Sequence, residues 1–384
     1  MQSFIVGAFS VVITLVTLGV GVCFLVTVRK LPTLRISNHH SDTPELTVVV
    51  PARNEEQDLK AAVESILAQQ DILLHVVIVN DHSVDNTGEI ADQLAHQDSR
   101  VSVIHDPPLT AGWFGKTNAM QRGVQGTTGS FLVFCDADVK HHPRCFITAW
   151  HHLQQNHVDL LSLCPLWVFH SFWENSLLPQ CMVAGTVQLM PPSVNDPKSN
   201  HAVAAGAFIM IRRTTFDAIG GFESVRNEML DDVEFARSTK RSGHSVRFAL
   251  APELLQVRLF KSNRGAFWGL TKNVLAIVNP KWLALPTMFL PIVFYSIPFA
   301  CLLRGVWHQE LGLALLGIAA YATQLWISWL STTVCQVRWS RAIFFPTAAL
   351  PIFCCYAAAL YYWWFGDAVA WRGRVLKRKS SDTH

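Results

Sequence analysis

Charge is scarce in this chain of 384 residues. Only 15% of them are Asp, Glu, Lys or Arg, and half are hydrophobic, whereas a soluble domain carries about 25% charged residues. That balance argues against a wholly water-soluble protein. The formal net charge of +3 is too small to point to nucleic acid. Nine cysteines are present without a single C-x-x-C pair, which disfavours a zinc ribbon or a disulfide framework and favours buried, reduced thiols. There is no H-E-x-x-H, no G-x-S-x-G and no complete Rossmann glycine fingerprint. The P-loop pattern is also incomplete around Lys116, in AGWFGKTNAM. No internal repeat or low-complexity segment appears.

The apolar excess lies at the two ends. Phe4 to Val28 is an uncharged run long enough to span a bilayer as a helix. Arg29, Lys30 and Arg35 follow it. A secretory signal carries its positive charge before the apolar run, so this order reads as an uncleaved anchor with the following residues on the cytoplasmic side. Three further span candidates are Trp282 to Leu303, Leu311 to Thr333 and Ile343 to Phe365, followed by the basic tail WRGRVLKRKS. An anchor plus three spans leaves that tail outside, where its charge is disfavoured. One candidate is therefore expected to be re-entrant or interfacial. Trp282 to Leu303, with Pro286, Pro291 and Pro298, is the expected one, and Val274 to Trp282 is expected to lie along the interface. The expected organisation is an anchor at 1–35, a cytoplasmic domain at 36–273 and a membrane region at 274–384.

Between the ends the rhythm changes. LTVVVPA (46–52), HVVIVND (75–81), VSVIHD (101–106) and FLVFC (131–135) read as strands. They alternate with helical segments over 55–70, from Glu89 to His96, and from Lys116. Such alternation predicts an α/β fold with parallel βαβ units, and in these sheets ligands bind beyond the carboxyl ends of the strands. Polar residues gather at those ends: Arg53, Asn54 and Glu55, then Asp81, then Asp106, then Asp136 and Asp138. Capping of the next turn accounts for Asp106 and for Asp85. It accounts poorly for the D-x-D of Asp136 and Asp138, whose side chains share one side of an extended segment. Two repelling carboxylates suit a hard cation such as Mg²⁺ or Mn²⁺ beside phosphate oxygens.

Lys116, at a helix start after a glycine-bearing loop, is a candidate phosphate contact; the bland alternative is a solvated surface lysine. AVAAGAFIMIRR (202–213) reads as a strand entered through small residues, and Asp231 to Ser242 as a helix. The helix dipole explains one acid in its first turn; the pair Asp231 and Asp232 leaves room for a general base. His141 and His142 read as an exposed turn rather than metal ligands. His201 and the His39/His40 pair carry no clear signal.

In order, VVVPARNEE, VIVNDHSVDNT, GWFGKTNAM, FCDAD, GAFIMIRR and LDDVEFARSTKRSG resemble the family-2 glycosyltransferases of GT-A fold, over about Leu46 to Asn273. With the membrane flanks, VRLF and FWGLTKN, the chain is most similar to the membrane-bound branch that glycosylates lipids, such as the hopanoid-associated and carotenoid-acid glycosyltransferases and the ceramide glucosyltransferases. The resemblance implies a Rossmann-like mixed sheet, with Ala52, Arg53, Glu55 and Asp81 around the nucleoside and Lys116 near the donor. It implies Asp136 on the nucleotide-sugar (UDP- or GDP-linked), Asp138 on a divalent metal, and Asp232 as the base that activates the acceptor. Asp231 stands where Glu is usual, and Asn80-Asp81 where Asp-Asp is usual. The Gln-x-x-Arg-Trp motif of processive synthases is absent, with Arg258 and Trp268 as a dispersed substitute. The expectation is transfer of one sugar, with inversion, to a lipid acceptor at the cytoplasmic face of a bacterial plasma membrane. The alternatives are a processive polysaccharide synthase and a non-catalytic membrane-anchored scaffold that binds nucleotide-sugar. Nothing implies nucleic acid.

Overall fold

In a computed structural model the chain folds into two compact units. One comprises Arg29–Val168 with Met190–Arg258, the other Met1–Val28, Phe169–Leu189 and Leu259–His384. The structure describes residues 2–36, 43–190, 192–228, 230–260, 262–278, 281–365, 368–371 and 374–377. His39 and His40, and parts of the basic tail, lie outside these. The first helix, α1 (Gln2–Lys30), is followed by β1 (Glu45–Ala52), α2 (Leu59–Leu67), β2 (Leu73–Asn80), α3 (Thr87–Gln97), β3 (Val101–His105), α4 (Gly115–Val124) and β4 (Phe131–Phe134). Then come β5 (Val139–His141), α5 (Cys145–Gln155), β6 (Leu160–Cys164), β7 (Leu166–Trp167), α6 (Phe172–Leu189), β8 (Ile209–Arg212) and α7 (Arg213–Ala218). The remainder is α8 (Asp231–Arg241), β9 (Val246–Leu250), β10 (Leu255–Val257), α9 (Asn263–Ile277), α10 (Ala284–Trp307), α11 (Leu311–Val334) and α12 (Ala349–Phe365).

The seven-stranded sheet runs β3-β2-β1-β4-β8-β6-β9. The Val-rich β1 is central and buried on both faces, as expected for a strand covered by helices. It pairs in parallel with β2 (Val49 opposite Val77) and with β4 (Val49 opposite Phe134). Then β8 enters antiparallel, with Ile209 opposite Phe134, so its first residue lies at the edge where β4 ends. The expected strand over 202–213 is thus only four residues long. Residues 202–208 are mostly buried but not paired as strand, and the chain turns at Gly206 and Ala207 before β8 begins. Ser162 holds that turn: its hydroxyl donates to Phe208 O (3.0 Å) and accepts from Ala205 N (2.9 Å).

Two features place the helices that carry the polar residues. Gly123 on α4 lies so close to the sheet that a Cβ would stand 2.4 Å from Val49 Cγ1, which fixes the start of α4 at the carboxyl ends of the strands. A ring cluster anchors α8: Phe235 stacks on Phe222 (4.4 Å between centroids), and Phe222 meets Phe134 edge-on (4.9 Å).

The second unit gathers the apolar helices. Ser3–Lys30, Ala284–Trp307, Leu311–Val334 and Trp339–Tyr362 are long and apolar enough to cross a membrane. Trp282 to Leu303 does not form the re-entrant insertion suggested by its prolines: α10 is one helix of 24 residues with Pro291 and Pro298 inside it. It packs along α11, with Gln324 Nε2 donating to Phe294 O (2.7 Å). The unit also takes in α6, unforeseen in the sequence, and α9, while the sheet unit ends at Arg258 and omits 169–189. The reason is apolar burial: Val183 of α6 packs with Phe24 and Ile327. Gln180 Nε2 also donates to Ser328 Oγ (2.8 Å).

Candidate active site

At the ends of β1 and β2 the backbone turns sharply and is held by polar contacts. Asn54 takes a positive φ of 54°, a conformation that Asn tolerates better than most residues. Arg53 reaches across and donates from Nη1 to Asp81 O (2.8 Å). Glu55 is buried, and its N–H donates to Thr87 Oγ1 (2.7 Å). Ala52 and Asp81 are buried beside them, with Ala52 O accepting from Asp81 N (2.8 Å). Asn80 meets His105 Nδ1 through its amide (3.2 Å), a contact a carboxylate could make only with a protonated ring nitrogen. Asp85 caps the next turn, as expected: it accepts from Thr87 N (3.0 Å) and also from Glu56 N (3.2 Å). Asp106 instead accepts from His82 N (3.0 Å), in the loop after β2 rather than in the turn that follows it.

A second group forms where β4 ends, β8 begins and α4 and α8 start. Lys116 Nζ lies 2.6 Å from Asp136 Oδ1. Asp232 Oδ2 accepts from the Gly206 N–H (2.8 Å), and its Oδ1 accepts from Val233 N (2.8 Å). A Cβ on Gly206 would stand 2.9 Å from Lys116 Nζ, 3.3 Å from Asp136 Oδ2 and 3.5 Å from Asp232 Oδ2. Three side chains distant in sequence therefore converge on one glycine. The sequence offered a signal for it, since a glycine at the entry to a strand pattern marks close backbone approach, but Gly206 passed as a small residue among alanines.

The electrostatics follow from this crowding. Burial opposes charge on Lys116, yet the carboxylates of Asp136, Asp231 and Asp232 outweigh it and raise its pKa above the ordinary lysine value. Burial, helped by the neighbouring Asp231 carboxylate, pushes Asp232 up to about 6, while Lys116 and the Val233 and Gly206 N–H groups pull back. A carboxylate at that level is ionised at neutral pH yet basic enough to accept a proton.

Asp138 is partly buried in the turn leading to β5. Arg258 follows β10 in this unit, whereas Trp268 belongs to the other, where its ring meets Phe267 and Tyr362 at 5.2 and 5.4 Å. His141 corrects the expectation of an exposed turn. It is buried in β5, its Nδ1 lies 3.2 Å from Ser65 Oγ, and burial lowers its pKa to about 3. The cysteines are all free. In this unit Cys135, Cys145 and Cys164 are buried, and burial raises their pKa values, so they remain thiols.

A mixed sheet of this kind with flanking helices is a GT-A type of fold. The same fold appears in the mannosyltransferase PcManGT from Pyrobaculum calidifontis, solved with GDP-Man and Mn²⁺. The two share a TM-score of 0.55 at 17% identity, over 93% of this chain and 99% of that one. Residues 47–220 match glycosyl transferase family 2, and the chain carries a domain of that family. A 4,4'-diaponeurosporenoate glycosyltransferase of Staphylococcus aureus (strain bovine RF122 / ET3-1) is 28% identical over 197 residues, covering 50% of each chain. An uncharacterized glycosyltransferase, YibD, of Escherichia coli (strain K12) is 28% identical over 134 residues, 35% of this chain and 38% of the relative. The match thus spans half or less of these relatives' length.

Proposed function

We propose that this protein is an inverting glycosyltransferase that moves a single sugar from a nucleotide-sugar to a lipid acceptor at the cytoplasmic face of a membrane, in bacteria the plasma membrane. The observation that carries the reading is the convergence of Lys116, Asp136 and Asp232 on Gly206 at the strand ends. The nucleoside, of a UDP- or GDP-sugar, sits by Ala52, Arg53, Glu55 and Asp81. Lys116 and Asp136 neutralise one another before the donor arrives, and the donor's diphosphate then draws the Lys116 ammonium. Asp232 accepts the proton of the acceptor hydroxyl as its oxygen forms the new bond to the anomeric carbon. The bond from that carbon to the phosphate oxygen breaks on the opposite face, and the nucleoside diphosphate departs with the electron pair. Asp231 adjoins this base and raises its pKa.

A divalent ion fits this site as one carried largely by the substrate. Among the described residues no three His, Cys, Asp or Glu side chains gather to hold a metal. The D-x-D oxygens are hard donors, however, and Mg²⁺ and Mn²⁺ are often bound by one or two carboxylates together with substrate phosphates. Asp138 would hold it, and when bound it would neutralise charge on the leaving diphosphate. The four long apolar helices support membrane association and access to a lipid acceptor.

The test incubates the membrane-embedded protein with a panel of nucleotide-sugars and lipid extract, with mass spectrometry of the products. One added hexose, lost on chelation and restored by Mn²⁺ or Mg²⁺, is the expected result. A ladder of products would instead establish a processive synthase, and donor binding without transfer or hydrolysis a scaffold.

A further inference from the structure

The apolar unit has two ends that its contacts define. At one, Ser3 Oγ donates to Glu310 Oε1 (3.0 Å) and accepts from Arg304 Nε (3.1 Å); this is the distal end. At the other, Val28 and Val334 share a cluster, and α10 begins there, because α10 and α11 run antiparallel with Gly305 against Ala314 and Phe294 against Gln324. This proximal end is also where α1 finishes, at Arg29 and Lys30. Helices α1, α10 and α11 each run the whole distance between the ends.

The last apolar segment does not. It begins as a 3-10 helix, Trp339–Ala348, after α11 has finished at the proximal end. Its course can be followed by contacts: Ala342 O accepts from Ser328 Oγ (2.9 Å), and the Phe345 ring lies between Tyr295 (5.4 Å) and Tyr321 (5.1 Å). Tyr295 is eleven residues into α10, about 17 Å at 1.5 Å per residue, roughly the middle of a bilayer core about 30 Å thick. The chain then reverses. Phe353 meets Phe289 (5.5 Å), Leu360 packs with Ala284 and Met288, and Tyr362 meets Trp268 of α9 (5.4 Å). As numbers rise along α12, numbers fall along α10, so α12 descends to the end from which α10 started.

The apex is built for apolar surroundings. Thr347 is exposed, but its hydroxyl donates to Phe344 O (2.7 Å), and Ala349 N donates to Pro346 O. Pro351 falls in the first turn of α12, where a missing N–H leaves no carbonyl unserved. Backbone at membrane depth is tolerated when its polar groups are satisfied internally.

We propose that Trp339–Phe365 is a re-entrant hairpin, so that the chain crosses the bilayer three times and its basic tail emerges on the face where the domain after α1 begins. Charge supports this. Arg374 and Lys377 then join Arg29, Lys30 and Arg35 on one face, while the distal turn carries only Arg304 and Glu310; cations favour the cytoplasmic side. The hairpin occupies the depth of one leaflet only, about half of the bilayer core.

The test places an epitope tag after His384, and in a second protein after His308, and exposes sealed inside-out and right-side-out vesicles to protease. The expected pattern is digestion of the C-terminal tag only in inside-out vesicles and of the loop tag only in right-side-out vesicles. Digestion of both tags from the same face would overturn the hairpin. Alkaline carbonate is the control: release of the protein from the vesicles would refute membrane integration itself, whereas retention with both tags on one face refutes the hairpin alone.

Discussion

Asp232 is the residue on which most depends. Its carboxyl is raised by burial and by Asp231 to about 6, and the reactive form is the carboxylate. Turnover should therefore be full above pH 7 and fall as pH drops through about 6, a limb that a pH profile of kcat/KM reads directly. Asp232→Asn should lower kcat by about 10²–10⁴-fold, the usual contribution of a general base, while donor KM stays near its wild-type value; a variant retaining most of its turnover refutes the base. Gly206→Ala gives a different signature. The added methyl crowds Lys116, Asp136 and Asp232 and disturbs the N–H that helps keep Asp232 ionised. The acid limb should move above 6 and kcat/KM should fall by about tenfold or more, since small misplacements in a site are costly. An unshifted limb would show that Gly206 does not orient the base. The carboxylates and Lys116 were legible in the sequence as chemistry at strand ends. Gly206 was not, because its function is the absence of a side chain, and His141 was misread because its burial depends on α2.

Among the elements, the Val-rich strands and their helices were legible from alternation, and α8 from its acidic start and its glycine stop. The reversal of β8 was not, because a four-residue apolar run has no direction in sequence. Helix α6 was missed as well: Pro179 interrupts it, and its apolar residues do not form a single stripe. The element that sets the site is α4, and Gly123 sets α4. In Gly123→Ala the new Cβ meets Val49 at 2.4 Å and Val79 Cγ2 at 3.1 Å, so the helix must move away from the sheet. Overpacking of this kind costs about 1–3 kcal/mol and should appear as a lower melting temperature. Lys116 shifts with the first turn of α4, so donor KM should also rise, as isothermal titration with a nucleotide-sugar can confirm. A melting temperature equal to wild type would mean that α4 does not press on β1 as described.

At the scale of the whole molecule, the chain divides by what each surface needs around it rather than by sequence order. The sheet unit is interrupted by 169–189, whose helix belongs to the other unit and packs Val183 there with Phe24 and Ile327. Composition could show apolar ends, but not that an internal helix shares their environment. This has a direct consequence for dissection. A fragment of 29–258 carries α6 without those neighbours and should aggregate, because an unpartnered apolar helix is an association surface. Replacing 169–189 by a flexible linker of about twelve Gly and Ser residues removes that surface, and lengthening a loop is cheap, at about 0.6 kcal/mol per doubling. The shortened fragment should remain in the supernatant, melt cooperatively and bind a nucleotide-sugar, because Arg53, Glu55, Asp81, Lys116, Asp136 and Asp232 all belong to that unit. It should not transfer sugar to membrane lipid, having lost the helices that bring the acceptor. Ultracentrifugation of the two fragments side by side decides the matter: a soluble 29–258 with an insoluble excised form would reverse the assignment of α6.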